Sequence, residues 1–258
     1  MTTMMRKCLI PTIFAGGLGL AALLAQEKDV DPFEPGVGAP KLVKVRVEFV
    51  EMSHEKLTEL LFLEEPGSSD ATALRKTVAE LVKGGDASIL ETMMVVARSG
   101  QKATSESIRE FIYPTEYEPP EVPMPKNKGN LTPEDLKALG AMATPATPTA
   151  FETKNLGSIL EVQPTISPDD GLVDLRFLPE IVWHTGNDVW VERKDGLGNV
   201  SKIEMPGFYK VSLNTAITCV PGQYNLVAAL SPKDQNGVTD MTRKVMVFVR
   251  CDLQTIAE

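Results

Sequence analysis

An α+β fold, with an antiparallel β-rich body and two N-terminal helices packed on the sheet, is what this sequence predicts. Three observations carry that expectation. From Phe151 to Pro179, apolar residues recur at every second position on both sides of Asp169-Asp170-Gly171, the pattern of a β-hairpin closed by an Asp-Gly turn. The chain after residue 150 continues as alternating segments separated by turn residues, which implies an antiparallel sheet. Two segments near the start, by contrast, place their leucines and valines at helical spacing.

Taken in order, Lys41 to Met52 reads as a strand, with Val43, Val45, Val47 and Phe49 opposing Lys44, Arg46 and Glu48. Ser53 can cap a helix whose apolar stripe is Leu57, Leu60 and Leu61, stopped by Pro66-Gly67. Asp70 can cap a second, with Leu74, Val78, Leu81 and Val82 on one side and Gly84-Gly85 at its end. Ser88 to Arg98 is β-branched and Met-rich, hence a buried strand; over Lys102 to Tyr113, Ile108, Phe111 and Ile112 would suit a helix, but the preceding Ser99-Gly100 turn favours a hairpin partner. Eight of the nineteen prolines fall between Pro114 and Thr149, which marks a linker or surface insertion. It carries one short helix, capped by Thr132 with Pro133 at its first position.

After the Phe151–Pro179 hairpin, Trp183 to Gly207 reads as a short strand at Val189 to Glu192 with turns near Gly196-Leu197-Gly198. Tyr209 to Cys219 alternates over its whole length as one strand, Pro221-Gly222 reverses the chain into Tyr224 to Leu230, and a loop through Asn236-Gly237 leads to a last strand. There Val245, Val247, Val249 and Cys251 share a face. If these last three strands form a meander, the middle one separates Cys219 from Cys251 by about 10 Å, twice the strand spacing. A disulfide tolerates about 7 Å, so two buried free thiols are expected. A chain with 35 acidic and 26 basic residues, net charge −9, lacks the clustered cations that nucleic acid requires.

Arg6 and Lys7 precede an uncharged, mostly apolar run from Cys8 to Ala25, followed by Gln26-Glu27-Lys28-Asp29. That is the layout of a secretory signal peptide cut after Ala25, preferred here to an uncleaved membrane anchor. The domain reading is thus a signal peptide over 1–25, an extended leader over 26–40, an N-terminal α/β half over 41–113, the Pro-rich insertion over 114–149 and an antiparallel β half over 150–258.

No residue set reads as catalytic, cofactor-binding or metal-ligating, and the chain is expected not to be an enzyme. His54, at a helix start, and His184, in a loop, have no second ligand at metal spacing. Leu156-Gly157-Ser158-Ile159-Leu160 lacks the second glycine of a nucleophile elbow. Asp169-Asp170 is turn chemistry rather than a calcium site, and Glu116, Glu118 and Glu121 form a solvated run. Trp183 and Trp190, flanking a loop, are expected to pack at the core or its rim.

Lys154-Asn155-Leu156-Gly157, then Leu160-Glu161-Val162-Gln163-Pro164-Thr165-Ile166 and Asp170-Gly171, resemble the secretin domain of bacterial type II and type III secretion proteins. Ser99-Gly100-Gln101-Lys102-Ala103 and Val220-Pro221-Gly222-Gln223 are similar to its two Gly-Gln turns. The chain departs from the pattern at Ala228-Ala229-Leu230 and in the short stretch from Ser231 to Asp240. The resemblance, spanning about residues 41–252, implies an exported structural protein of the periplasm or outer membrane. It would self-associate through strand edges, as part of a secretion or pilus channel, with other envelope proteins as partners. The alternative is a soluble periplasmic interaction domain that keeps the fold without forming a pore.

Overall fold

The computed structural model describes residues 41–63, 69–121, 123, 131–194, 200–234 and 237–254, all within one unit, Ala39–Glu258. The signal-peptide and leader expectations over 1–40, the Pro66-Gly67 stop and the Gly196-Leu197-Gly198 turn lie outside the described residues. In chain order the elements are β1 (Leu42–Ser53), α1 (His54–Leu63), α2 (Thr72–Gly84), β2 (Ala87–Arg98), β3 (Ala103–Glu118), α3 (Pro133–Ala141), β4 (Thr147–Ile166), β5 (Val173–Lys194), β6 (Val200–Ser212), β7 (Thr215–Cys219), β8 (Tyr224–Leu230) and β9 (Arg243–Gln254). The fold is α+β with antiparallel pairing throughout. One sheet runs β2-β1-β9-β8; the other runs β3-β4-β5-β6, with β7 also on β5.

The two sheets face each other across the main core. Val43, Val45, Val47 and Phe49 of β1 and Val245, Val247, Val249 and Cys251 of β9 meet Leu160, Val162, Val173, Leu175 and Phe177 of β4 and β5. The other face of β1 and β9, through Val50, Met52, Met246 and Phe248, packs on Leu57 and Leu60 of α1 and Leu74 and Val78 of α2. Each such side chain removed from water contributes about 1.5–3 kcal/mol. Both helices start close to where their caps are expected. The Lys56 amide donates to Ser53 Oγ at 3.2 Å, while Asp70 stands one residue before the N-cap Ala71 and accepts from the Thr72 amide at 2.9 Å. Gly85, at φ 84°, closes α2.

Several expectations are corrected. The β2 segment is a strand but not a buried one: it lies at a sheet edge, and Ile89, Met94 and Val96 are exposed, with only Ala87, Met93 and Ala97 buried. The Ser99-Gly100 turn makes no β2–β3 hairpin. It carries the chain into the other sheet, where β3 pairs with β4, and it docks there through Gly100 N to Pro164 O at 2.7 Å and Ile166 N to Ser99 Oγ at 3.0 Å. Pro221-Gly222 is a second such corner, leading from β7 in one sheet to β8 in the other. The meander, and with it the separation argued for Cys219 and Cys251, is therefore overturned: the two buried thiols face each other across the sandwich.

The single strand expected from Tyr209 to Cys219 is two, β6 and β7, both paired with β5. The break falls beside Pro179, which has no amide to donate; Leu213 N reaches the Pro179 carbonyl at 3.2 Å instead. Residues 183–207 hold two long strands rather than one short one, and β3 and β4 reach into the Pro-rich stretch as far as Glu118 and Thr147. Thr132 caps α3 with a complete capping box.

Glu48, placed on the polar face of β1 by its alternation, is only 5% exposed, because α2 lies over it. Arg75 of α2 donates to Glu48 at 2.6 Å, the Tyr224 hydroxyl donates to its other oxygen at 3.2 Å, and Arg46 donates to that hydroxyl at 3.2 Å. Glu48→Ala leaves the Arg75 charge without its partner; urea denaturation should show a loss of about 3–5 kcal/mol.

A second polar anchor fixes the start of β9. Asp240 accepts from the Thr242 hydroxyl at 2.6 Å, the Arg243 guanidinium at 2.7 Å and the Thr242 amide at 2.8 Å. These donors, the Thr242 hydroxyl first and Arg243 next, bring its pKa down to about 2. A carboxylate with a depressed folded-state pKa adds stability above its ordinary range, and this is lost as pH falls through the folded value. NMR titration should show the Asp240 carboxyl protonating only near pH 2.

Candidate assembly surface

Beyond the sandwich, the second sheet divides. The β4–β5 ladder runs only from Ile166↔Val173 to Gly157↔Val182. Past that point β4 continues with β3 alone, and β5 with β6 alone. Two hairpin arms therefore project, one from Arg109↔Leu156 to Glu118↔Thr147, the other from Trp183↔Tyr209 to Lys194↔Val200. Each is about ten residues long, the length of a transmembrane β-strand. Among the described residues, the edges of β4 and β5 beyond the fork and the outer edges of β3 and β6 have no strand partner.

Gly157 sits at the fork. Its φ of 125° is a backbone conformation that other residues rarely adopt, and a Cβ there would stand 2.1 Å from the Ser107 carbonyl oxygen. The glycine thus lets β3 approach β4 closely at the point where β4 leaves β5. The sequence signal for it is a lone glycine inside a strand pattern. The second arm bends at a register shift between His184 and Gly186, where Gly186 has φ 131°.

Four rings clasp the arms at their base. Phe111 of β3 stacks on His184 of β5 at 4.9 Å between centroids and meets Phe208 of β6 edge-on at 5.9 Å; Tyr113 of β3 lies 5.4 Å from Phe208. Such pairs add about 0.5–1.5 kcal/mol each beyond their burial. His184 is thus in a strand, not a loop, and its Nε2 lies 2.9 Å from Asn187 Oδ1, which is tied on to Glu204 at 3.2 Å. The Tyr113 hydroxyl donates to Glu152 at 3.1 Å, and desolvation followed by that carboxylate raises its pKa.

The remaining residues singled out in the sequence are scattered. His54 Nδ1 lies 3.0 Å from the Met241 carbonyl oxygen, far along the fold from His184. Ser158 stands opposite Ser107 in the β3–β4 ladder. Asp169 accepts from the Ser167 hydroxyl at 2.6 Å and the Gly171 amide at 3.3 Å, as turn chemistry requires, and these bonds lower its pKa. Glu116 and Glu118 lie in β3 and are exposed, as is Glu121. Trp183 stacks on Tyr209 at 5.4 Å, at the rim of the core, whereas Trp190 is 71% exposed on the second arm. Exposed Phe151, Ile112, Val191 and Val200 lie on the arms with it. Among the described residues no helix is long and apolar enough to cross a membrane.

Gly157→Ala should cost about 3 kcal/mol in urea denaturation, because backbone rather than a flexible side chain stands in the way. Gly140→Ala in α3, where the added methyl meets open space, serves as the control and should change stability by no more than about 1 kcal/mol.

No family model and no curated protein matches the chain. Solved structures do. The secretin InvG of the Salmonella SPI-1 type III secretion injectisome aligns over 86% of this chain and 67% of its own, at 10% identity and a TM-score of 0.41. The type II secretion system secretin GspD of E. coli K12 aligns over 85% and 52%, at 13% identity and TM-score 0.38. ExeD of Aeromonas hydrophila aligns over 83% and 49%, at 14% identity and TM-score 0.39. The chain thus spans from about half to two thirds of the structures it is similar to.

Proposed function

We propose that this protein is an exported, secretin-like structural subunit that self-associates through strand edges in the bacterial envelope, as part of a secretion or pilus channel of the outer membrane. The observation that carries the reading is the fork. Two arms of membrane-spanning length leave a packed sandwich with edges that no strand among the described residues pairs. Exposed ladders of this kind are satisfied by strands of a neighbouring copy, and a closed ring removes them altogether. The secretin-like motif from Lys154 to Gly171 lies where the arms join the sandwich, and the residues before Gln26 have the layout of an export signal. The reading assigns the protein no reaction.

A second reading, a periplasmic interaction domain that never inserts, draws on the polarity of the arms. Lys202 pairs with Glu192 at 3.3 Å, and Asn187 with Glu204, on surfaces that a lipid-facing strand would keep apolar. Envelope fractionation of cells expressing the full chain separates the two. A heat-resistant multimer extracted by mild detergent from the outer membrane is the expected result. A monomer in the osmotic-shock fluid would overturn the channel reading in favour of the second.

A further inference from the structure

Cys219 ends β7 in one sheet and Cys251 lies near the end of β9 in the other; both side chains are fully buried. The place where they meet is a closed corner of the sandwich. Within five residues of Cys219 the chain has crossed to β8, where Tyr224 is already paired with Arg250. The turn between is tied to the second cysteine itself, since the Gly222 amide donates to the Cys251 carbonyl at 2.7 Å. Cys219 is held on its other side by pairing with Val173, and Cys251 by pairing with Val45. Both side chains thus end in the same buried core between the two sheets.

We propose that Cys219 and Cys251 form an inter-sheet disulfide that locks the two sheets together at this corner. The proposal rests on the export reading, because a structural disulfide persists in an oxidising compartment. Other β-sandwiches are bridged between their sheets in the same manner. The oxidant is a disulfide donor of the glutathione or thiol–disulfide oxidoreductase class. One cysteine, as thiolate, attacks a donor sulfur and releases one donor thiol. The other then displaces the second donor thiol, forming the Sγ–Sγ bond. The donor disulfide is reduced to two thiols, which take up the two cysteine protons. The link closes a loop of about thirty residues holding β8 and β9 and restricts the unfolded chain accordingly.

The test uses the full chain with Cys8→Ser, so that only this pair remains. The protein is unfolded, refolded in a reduced and oxidised glutathione buffer, denatured, alkylated and digested. The expected product is one cross-linked peptide pair containing Cys219 and Cys251, two hydrogens lighter than the separate peptides, with no alkylation at either. Full alkylation of both, glutathione carried on either, or a link between two chains would overturn the proposal. As a second measurement, the urea midpoint of the parent should rise in the oxidised buffer and fall back with dithiothreitol. An equal rise in the Cys219→Ala/Cys251→Ala variant would overturn it too. A pair that oxidises when purified but is reduced when trapped in cells sinks the export reading and leaves the disulfide chemistry standing.

Discussion

The pair β1–β9 must be covered on both faces, and the rest of the molecule follows from that requirement. Five consecutive residues of β9, Val245 to Val249, are buried, odd positions against the second sheet and even ones against the helices. A strand of this kind has no face left for water. One cover is local: α1 and α2 follow β1 directly and fold back over it, held by Arg75 on Glu48. The other comes from β4 and β5, far along the chain. Since β1 pairs with β9 over its whole length, the first and last described strands close the same sheet, and neither half of the sequence can complete its core without the other. Pairing of such sequence separation makes folding slow.

The two corners serve the same requirement. At Ser99-Gly100 and at Pro221-Gly222 the chain leaves one sheet for the other, and each corner is fastened by a backbone hydrogen bond to the strand it faces. Between them lies all of the second sheet. Its base is sandwiched against the first sheet, and β4 and β5 separate beyond Gly157↔Val182. Gly157 lets β3 lie close against β4 where β4 leaves β5, and the ring cluster of Phe111, Tyr113, His184 and Phe208 joins the two arms at their base.

Much of the strand content was legible because one face is wet. The hairpin at Asp170-Gly171 and the first half of β1, before the helices cover it, show period two for that reason, and the leucines of α1 and α2 show the helical period against the first sheet. What periodicity does not encode is which sheet a strand joins. A Gly turn between two alternating segments looks the same whether it closes a hairpin or turns a corner, and both corners were misread as hairpins for that reason. Burial under a helix is likewise invisible to alternation, which left Glu48 among the surface charges. The arms were hardest to read. With both faces exposed, residues 183–207 lack a core-facing register, so only Val189 to Glu192 stood out in a stretch that is strand on both sides of its tip. The fork itself had one sequence signal, the glycine inside a strand.

The composition of the arms bears on how the proposed assembly would avoid wrong pairing. A long, flat, unpaired edge invites indiscriminate pairing, and natural edges are blunted by proline, charge and bulges. All three are present. Pro114, Pro148 and Pro206 lie within the arms, register shifts flank Glu116, Gly186 and Val189, and Lys202–Glu192 sets opposite charges across the β5–β6 ladder. These devices interrupt the outer part of the first arm and both the base and the outer part of the second. They leave the outer edge of β3 from Ala103 to Tyr113 regular, with no proline and no register shift. An edge open in one place and obstructed elsewhere selects its partner strand by register, and that is the property a ring of identical subunits requires, since every joint must repeat the same offset for the ring to close.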